Sequence, residues 1–236
     1  SQGAGSTAAA GADTGADNDA GASAGAVSAT ATISIASLAA ALRRATAGAD
    51  VSLLRLPLGW SGDLWNFHHP LEYLGYDGGA GIGSGPGMTV GAALALRNSG
   101  RLPIAVIGDG DFLMGATAFW TAASARVPLL AIVANNRSYF NDEIHQERIA
   151  KERDRPVENR WIGQRIADPE PDLALMARAQ GLVGIGPVES PEVLDAALAE
   201  AVARLRAGAA VVVDVRVAPG YSPSMASGMT RAHGEC

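Results

Sequence analysis

Two uninterrupted apolar runs, at 104–107 and 129–134, stand out from a chain whose other apolar positions mostly recur at helical spacing. Consecutive apolar residues without alternation suit strands covered on both faces, as in a parallel sheet flanked by helices. Around these two strands the pattern predicts a helix over 35–47, stopped by Gly48, and a strand over 51–56. A small-residue helix is expected over 87–97, ended by Asn98-Ser99-Gly100, and another over 112–125. Residues 137–168 read as irregular and charged. Beyond them come a helix (172–180), a strand (182–185), a helix opened by Ser190-Pro191-Glu192 and running to Arg206, and a strand (210–215). Strands alternating with helices imply parallel pairing through right-handed crossovers. The expected fold is therefore α/β, a doubly wound, mainly parallel sheet with helices on both faces. Residues 1–31 break the pattern: they are almost wholly Ala, Gly, Ser, Thr, Asp and Asn, with Val27 the only sizeable apolar side chain. Such a segment cannot bury enough surface to offset the entropy of ordering it. It reads as a linker or tail, and 32–236 as one domain.

Composition narrows the partners. A net charge of −6 argues against nucleic acid, whose binders concentrate Lys and Arg on the phosphate backbone. No apolar run approaches the ~20 residues that span a bilayer, and no basic-then-apolar leader opens the chain, so no membrane partner is expected. The lone Cys236 forms no intrachain disulfide, which fits a cytoplasmic location. The sequence opens on Ser1 and not Met, which raises the expectation of a processed or truncated product of something longer.

In a doubly wound sheet ligands sit at the carboxyl ends of the strands, which directs attention to the residues just after Ile107 and Ala134. Gly108-Asp109-Gly110 succeeds the first and Asn135-Asn136 the second, with twenty-four residues between them. Both motifs then lie on one edge of the sheet, one strand apart. A Mg²⁺–diphosphate site suits this pair, because Mg²⁺ takes oxygen ligands and usually combines a carboxylate with phosphates. Asp109 supplies the carboxylate, Asn136 an amide oxygen, and the Ser138 carbonyl a third ligand; the flanking glycines let backbone approach the phosphates. Either motif alone is an ordinary turn. His68 and His69, in the loop before the glycine-rich run 78–87, either face a substrate or simply pack.

The spacing of Gly108-Asp109-Gly110 and Asn135-Asn136 resembles the thiamin diphosphate signature of the acetolactate synthase and 2-oxo acid decarboxylase superfamily, benzaldehyde lyase included. The resemblance runs from about Ile33 to Val217. It implies the C-terminal, diphosphate-binding domain, with thiamin diphosphate and Mg²⁺ as cofactors. By resemblance, Ile82 wedges between the two rings, and a carbonyl of Ala80 or Gly81 accepts the 4′-amino hydrogen bond. Gly108, Asp109, Gly110, Asp111, Asn136, Ser138, Tyr139 and Phe140 then lie against the cofactor, with Asp109, Asn136 and Ser138 on the metal. His69 is the one candidate catalytic side chain. Residues 139–165 are either a loop covering the cofactor or a solvated helix of paired charges. The run Asn136-Arg137-Ser138-Tyr139-Phe140 departs from the usual Asn-Gly pattern, which leaves the enzyme type open.

The glutamate that activates this cofactor belongs, in the family, to a separate pyrimidine-binding domain for which this chain has no room. The resemblance thus implies a pyrimidine-domain partner, in a hetero-oligomer with two copies of each chain as one arrangement. The substrate expected is a 2-oxo acid or 2-hydroxy ketone, and the reaction carbon–carbon cleavage or ligation. An oxidative 2-oxo acid enzyme subunit and a non-catalytic regulatory domain are the alternatives.

Overall fold

The computed structural model describes residues 32–75 and 81–220. The expected linker at 1–31, the carbonyl of Ala80 and the thiol of Cys236 lie outside the described residues. The elements run α1 (Ile35–Ala45), β1 (Val51–Arg55), α2 (Ser84–Ala95), β2 (Leu102–Gly108), α3 (Asp109–Gly115), α4 (Ala118–Ser124), β3 (Leu129–Asn135), α5 (Phe140–Glu152), α6 (Leu173–Ala179), β4 (Val183–Val188), α7 (Pro191–Arg206) and β5 (Ala210–Arg216). The five strands form one sheet in the order β1-β2-β3-β5-β4, every pair parallel.

Period-two burial on each strand produces two cores. Ile104, Val106, Leu130, Ile132, Val211 and Val213 face one side, where they pack with Leu38 and Leu42 of α1 and Leu198 and Val202 of α7. Ala105, Ile107, Leu129, Ala131, Val133 and Val212 face the other, against Val90 of α2, Phe112 of α3, Phe119 of α4 and Ala177 of α6. Both strands read as continuous apolar runs are thus covered on both faces. The chain advances from β1 to β3 and then skips one place to β4, with its covering helices on one side. It returns to β5 in the gap, a reversal that a right-handed crossover accommodates only with its helix on the opposite face, where α7 lies.

Local signals account for several boundaries. Ser34 and Ser37 cap each other's backbone at the start of α1, and Arg43 and Arg44 close its last turn. Pro191 opens α7, where its missing N–H costs nothing. Three expectations are corrected. The helix expected over 112–125 is two helices, and the first begins at Asp109, because the acidic side chains of Asp109 and Asp111 suit a first helical turn. The glycine-rich helix begins at Ser84, three residues earlier than expected. The segment 137–168, read as irregular, contains α5, which buries only Glu143 and carries the ion pairs Glu147–Lys151 and Arg148–Glu152 one turn apart. Of the two readings of 139–165, the solvated helix of paired charges describes 140–152, while 138–142 at its start line the cleft described below. Among the described residues no helix is long and apolar enough to cross a membrane.

Candidate active site

Gly108 and Ala134 are register partners on adjacent parallel strands, so the chain leaves the sheet at both motifs on the same edge. A cleft opens there. It is lined by Arg55 at the end of β1 and Leu58 beyond it, by Ile82, by 107–111, and by Asn136 with 138–142. Of the residues expected at the site, Ile82, Gly108, Asp109, Gly110, Asp111, Asn136, Ser138, Tyr139 and Phe140 all line this cleft, whereas Gly81 does not, and its carbonyl accepts from Ser84 N–H at 3.3 Å.

The centre of the arrangement is one backbone N–H. Ser138 N–H is shared between Asp109 Oδ2, at 3.1 Å, and Asn136 Oδ1, at 3.0 Å. The carboxylate from the end of β2 and the amide from the end of β3 therefore converge on a single small volume. Asp109 is buried, and Gly110 N–H donates to its Oδ1 at 2.9 Å. Among the described residues no Lys or Arg pairs with it. Burial pushes its carboxyl up to about 6, against the pull of the backbone N–H groups of Gly110, Ser138 and Arg137. A buried carboxylate held by backbone alone, beside an amide oxygen, is a hard oxygen donor set of the kind a divalent cation takes. Among the described residues no cluster of three or more His, Cys, Asp or Glu side chains exists that would hold a metal unaided. Amide, carbonyl and phosphate oxygens would have to complete the set, and this geometry fits a Mg²⁺–diphosphate group.

The loop after β3 is built to hold these atoms. Asn135 Oδ1 accepts from Arg137 N–H at 3.1 Å, and Asn136 Oδ1 from Ser138 N–H, giving two overlapping side-chain turns. Arg137, between them, has φ of 60°, the left-handed conformation that a glycine takes at no cost. The departure from Asn-Gly is thus absorbed as local strain. Replacing Arg137 with Gly is expected to stabilise the chain by about 0.5 kcal/mol, the relieved strain being partly offset by the freer unfolded chain. Urea denaturation measures this, and a loss of stability would mean that the arginine side chain itself holds the turn. On its far side the loop is clamped to 164–166: Tyr139 N–H donates to the Gln164 carbonyl and Ile166 N–H to the Arg137 carbonyl. Ser138 Oγ meets the buried carboxylate of Glu143, which also lies 3.8 Å from Arg165 Nε. The Tyr139 ring lies so close to Gly110 that a Cβ there would stand 2.2 Å from Cε1, which is why no side chain fits at that position. Burial raises the Tyr139 hydroxyl above its ordinary range, helped by the Asp109 charge.

The two asparagines divide the work. Asn135 turns inward, its Nδ2 donating to Asp214 Oδ1 at 2.9 Å between β3 and β5. Asp214 is buried and is pushed up to about 6, first by burial and further by the charge of Asp109. Asp214, Glu143 and Arg55 are not among the residues that sequence reasoning singles out. The signal for Asp214 was visible, as a lone acid inside the valine-rich run of β5, where a charge needs a partner to be tolerated. His68 and His69, in contrast, do not line the cleft. Both are exposed, and His69 Nδ1 accepts from Leu71 N–H at 3.1 Å as the cap of a short 3-10 turn, Pro70–Glu72. The structure gives His69 a capping role and does not bring it to the site.

The family model for the thiamine pyrophosphate enzyme C-terminal TPP-binding domain matches residues 58–215, which include every cleft residue from β2 and β3. The chain belongs to this family. Over 59 residues, a quarter of the chain, it is 44% identical to benzoylformate decarboxylase of Pseudomonas aeruginosa, of which that stretch is 11%. Among solved structures it resembles the thiamine diphosphate-dependent 4-hydroxybenzoylformate decarboxylase of Rhodococcus jostii RHA1, with 29% identity and a TM-score of 0.65 over 83% of the chain. Benzoylformate decarboxylase from Polynucleobacter necessarius shares the fold at 20% identity, with a TM-score of 0.65 over 81% of the chain. The TPP-binding domain described here spans about a third of each of those two proteins, 34% in both cases.

Proposed function

We propose that this TPP-binding domain holds the diphosphate of thiamin diphosphate through a Mg²⁺ ion bound by Asp109, Asn136 and the Ser138 carbonyl, as the diphosphate-binding part of a decarboxylase-like enzyme acting on 2-oxo acids. The observation that carries this reading is the convergence of Asp109 and Asn136 on Ser138 N–H, with the Asp109 carboxyl buried and lacking a cationic partner among the described residues. When bound, the cofactor supplies a nucleophilic carbon for attack on the substrate carbonyl. The chain's own residues do the placing. Asp109 and Asn136 orient the metal, Ser138 is locked by Glu143, and Tyr139 walls the diphosphate side. Ile82 stands 47% exposed at the mouth, where the rings would lie, and Met114 beside Gly83 is 60% exposed. These uncovered apolar side chains support docking of a pyrimidine-binding domain that contributes the activating glutamate, as a separate chain in a hetero-oligomer. Acetolactate synthase-like ligation to a 2-hydroxy ketone uses the same cofactor placement and differs in the second carbonyl admitted.

Calorimetric titration of the full chain with Mg²⁺ and thiamin diphosphate tests the site, and Mg²⁺-dependent binding is the expected result. Adding a pyrimidine-binding domain and benzoylformate as the 2-oxo acid probe tests turnover. Binding without turnover in that mixture would favour a cofactor-holding regulatory domain, and absence of binding would remove the proposal.

A further inference from the structure

Asp111, two residues beyond Asp109, lines the cleft, yet its carboxylate is fully engaged by the chain. Oδ1 accepts from Gly83 N–H at 2.7 Å and from Gly85 N–H at 3.0 Å, and Oδ2 lies 3.3 Å from Arg55 Nε. All of this is buried: the side chains of Arg55 and Asp111 are 11% and 9% exposed. The fit is tight, since a Cβ on Gly85 would stand 2.2 Å from Asp111 Oδ2. One carboxylate thus ties together the end of β1, the first turn of α3 and the turn that opens α2. Ile82 is the residue immediately before that clamped turn.

The first turn of α3 consequently faces two ways. Asp109 points to the loop after β3, and Asp111 to the turn carrying Ile82. Resting on the thiamin diphosphate reading, we propose that Asp111 is a positioning residue whose carboxylate serves the chain and not the metal, and that it sets Ile82, on the ring side of the site, in register with Asp109 on the metal side. Charge-assisted hydrogen bonds to the Gly83 and Gly85 amides restrain the backbone on either side of residue 84 more firmly than neutral ones would. The second arm, to Arg55, stops the carboxylate from turning toward the cleft and competing for the metal. At a position expected against the cofactor, the carboxylate is then a strut for the turn beside it.

The test compares two ligands on the full chain in the presence of Mg²⁺. Pyrophosphate reads the metal side alone, and thiamin diphosphate reads the metal and ring sides together. Wild type is expected to prefer thiamin diphosphate. Asp111→Ala is expected to lower that preference about tenfold while changing pyrophosphate affinity much less, because only the ring side loses its support. Asp111→Asn, whose amide oxygen still accepts from Gly83 and Gly85, should keep most of the preference. Equal weakening of both ligands, or an unchanged preference, overturns the positioning role and leaves the metal site standing. Failure of wild type to bind either ligand removes the underlying cofactor reading instead. If Asp111→Ala does not fold, amide hydrogen exchange in wild type and Asp111→Asn decides: Gly83 and Gly85 must be protected in both, and rapid exchange at either overturns the clamp.

Discussion

Asn in place of Asp109 is expected to produce a chain that is more stable without cofactor at neutral pH and unable to retain Mg²⁺ and thiamin diphosphate. A carboxyl held near 6 in the fold, against an ordinary value of 3.8, binds its proton more tightly when folded than when unfolded. Its contribution to stability is therefore complete below about pH 4 and is lost as the pH rises through 6, a loss of about 3 kcal/mol by pH 7. Asp214, also held near 6, adds loss in the same window. Urea denaturation of the cofactor-free chain from pH 4 to 8 should show falling stability in wild type and a shallower fall in Asp109→Asn. The variant's advantage at pH 7 should reach at most about 3 kcal/mol, since its amide N–H₂ still needs a partner. Mg²⁺ with thiamin diphosphate should stabilise wild type by mass action and leave the variant unmoved. A cofactor-free wild type whose stability is flat from pH 4 to 7 would show that Asp109 is not the strained acid described. A variant still stabilised by the cofactor would show that it is not the ligand.

The cost of burying the Asp109 carboxylate explains where the candidate site is legible in the sequence. A carboxylate directly after a continuous apolar strand is an unfavourable place for a charge, and Gly108-Asp109-Gly110 announces that locally. The sheet edge and the meeting of Asp109 with Asn136 can be read from spacing alone, because parallel strands of like length end together. What spacing could not disclose depends on side-chain direction across chain segments far apart in sequence. Asp111 is expected against the cofactor, and only the fold shows its carboxylate accepting from Gly83 and Gly85. The pair Asn135–Asp214 joins residues that become neighbours only because β5 inserts between β3 and β4. His69 sat in a glycine- and aromatic-rich loop that invited a catalytic role, and the fold spends its ring nitrogen on capping a turn. The helix α5 was obscured by its composition: its charges satisfy each other along the helix surface and leave almost no apolar stripe to read.

The adjacent asparagines offer the sharpest separation of scaffold from site. Asn135→Ala removes the side-chain N–H donated to the buried Asp214 carboxylate and the acceptor for Arg137 N–H. Leaving a buried charge without its hydrogen bond is expected to cost about 3 kcal/mol at pH 7. Because the Asn135 N–H holds the Asp214 carboxyl down, its loss lets burial push that carboxyl further up. The deficit relative to wild type should therefore shrink as the pH falls below 6, where Asp214 protonates and needs the bond less. Asn136→Ala removes one of two acceptors for Ser138 N–H, and Asp109 Oδ2 remains to serve it. That change should cost less than about 1 kcal/mol of stability. It removes a proposed metal ligand, however, so Mg²⁺-dependent affinity for thiamin diphosphate should fall at least about tenfold. Denaturation curves at pH 5 and 7, with cofactor titrations of both variants, measure the contrast. Equal destabilisation by the two substitutions, or undiminished cofactor affinity in Asn136→Ala, would mean that the second asparagine is scaffold like the first, and the metal would then have to be held without it.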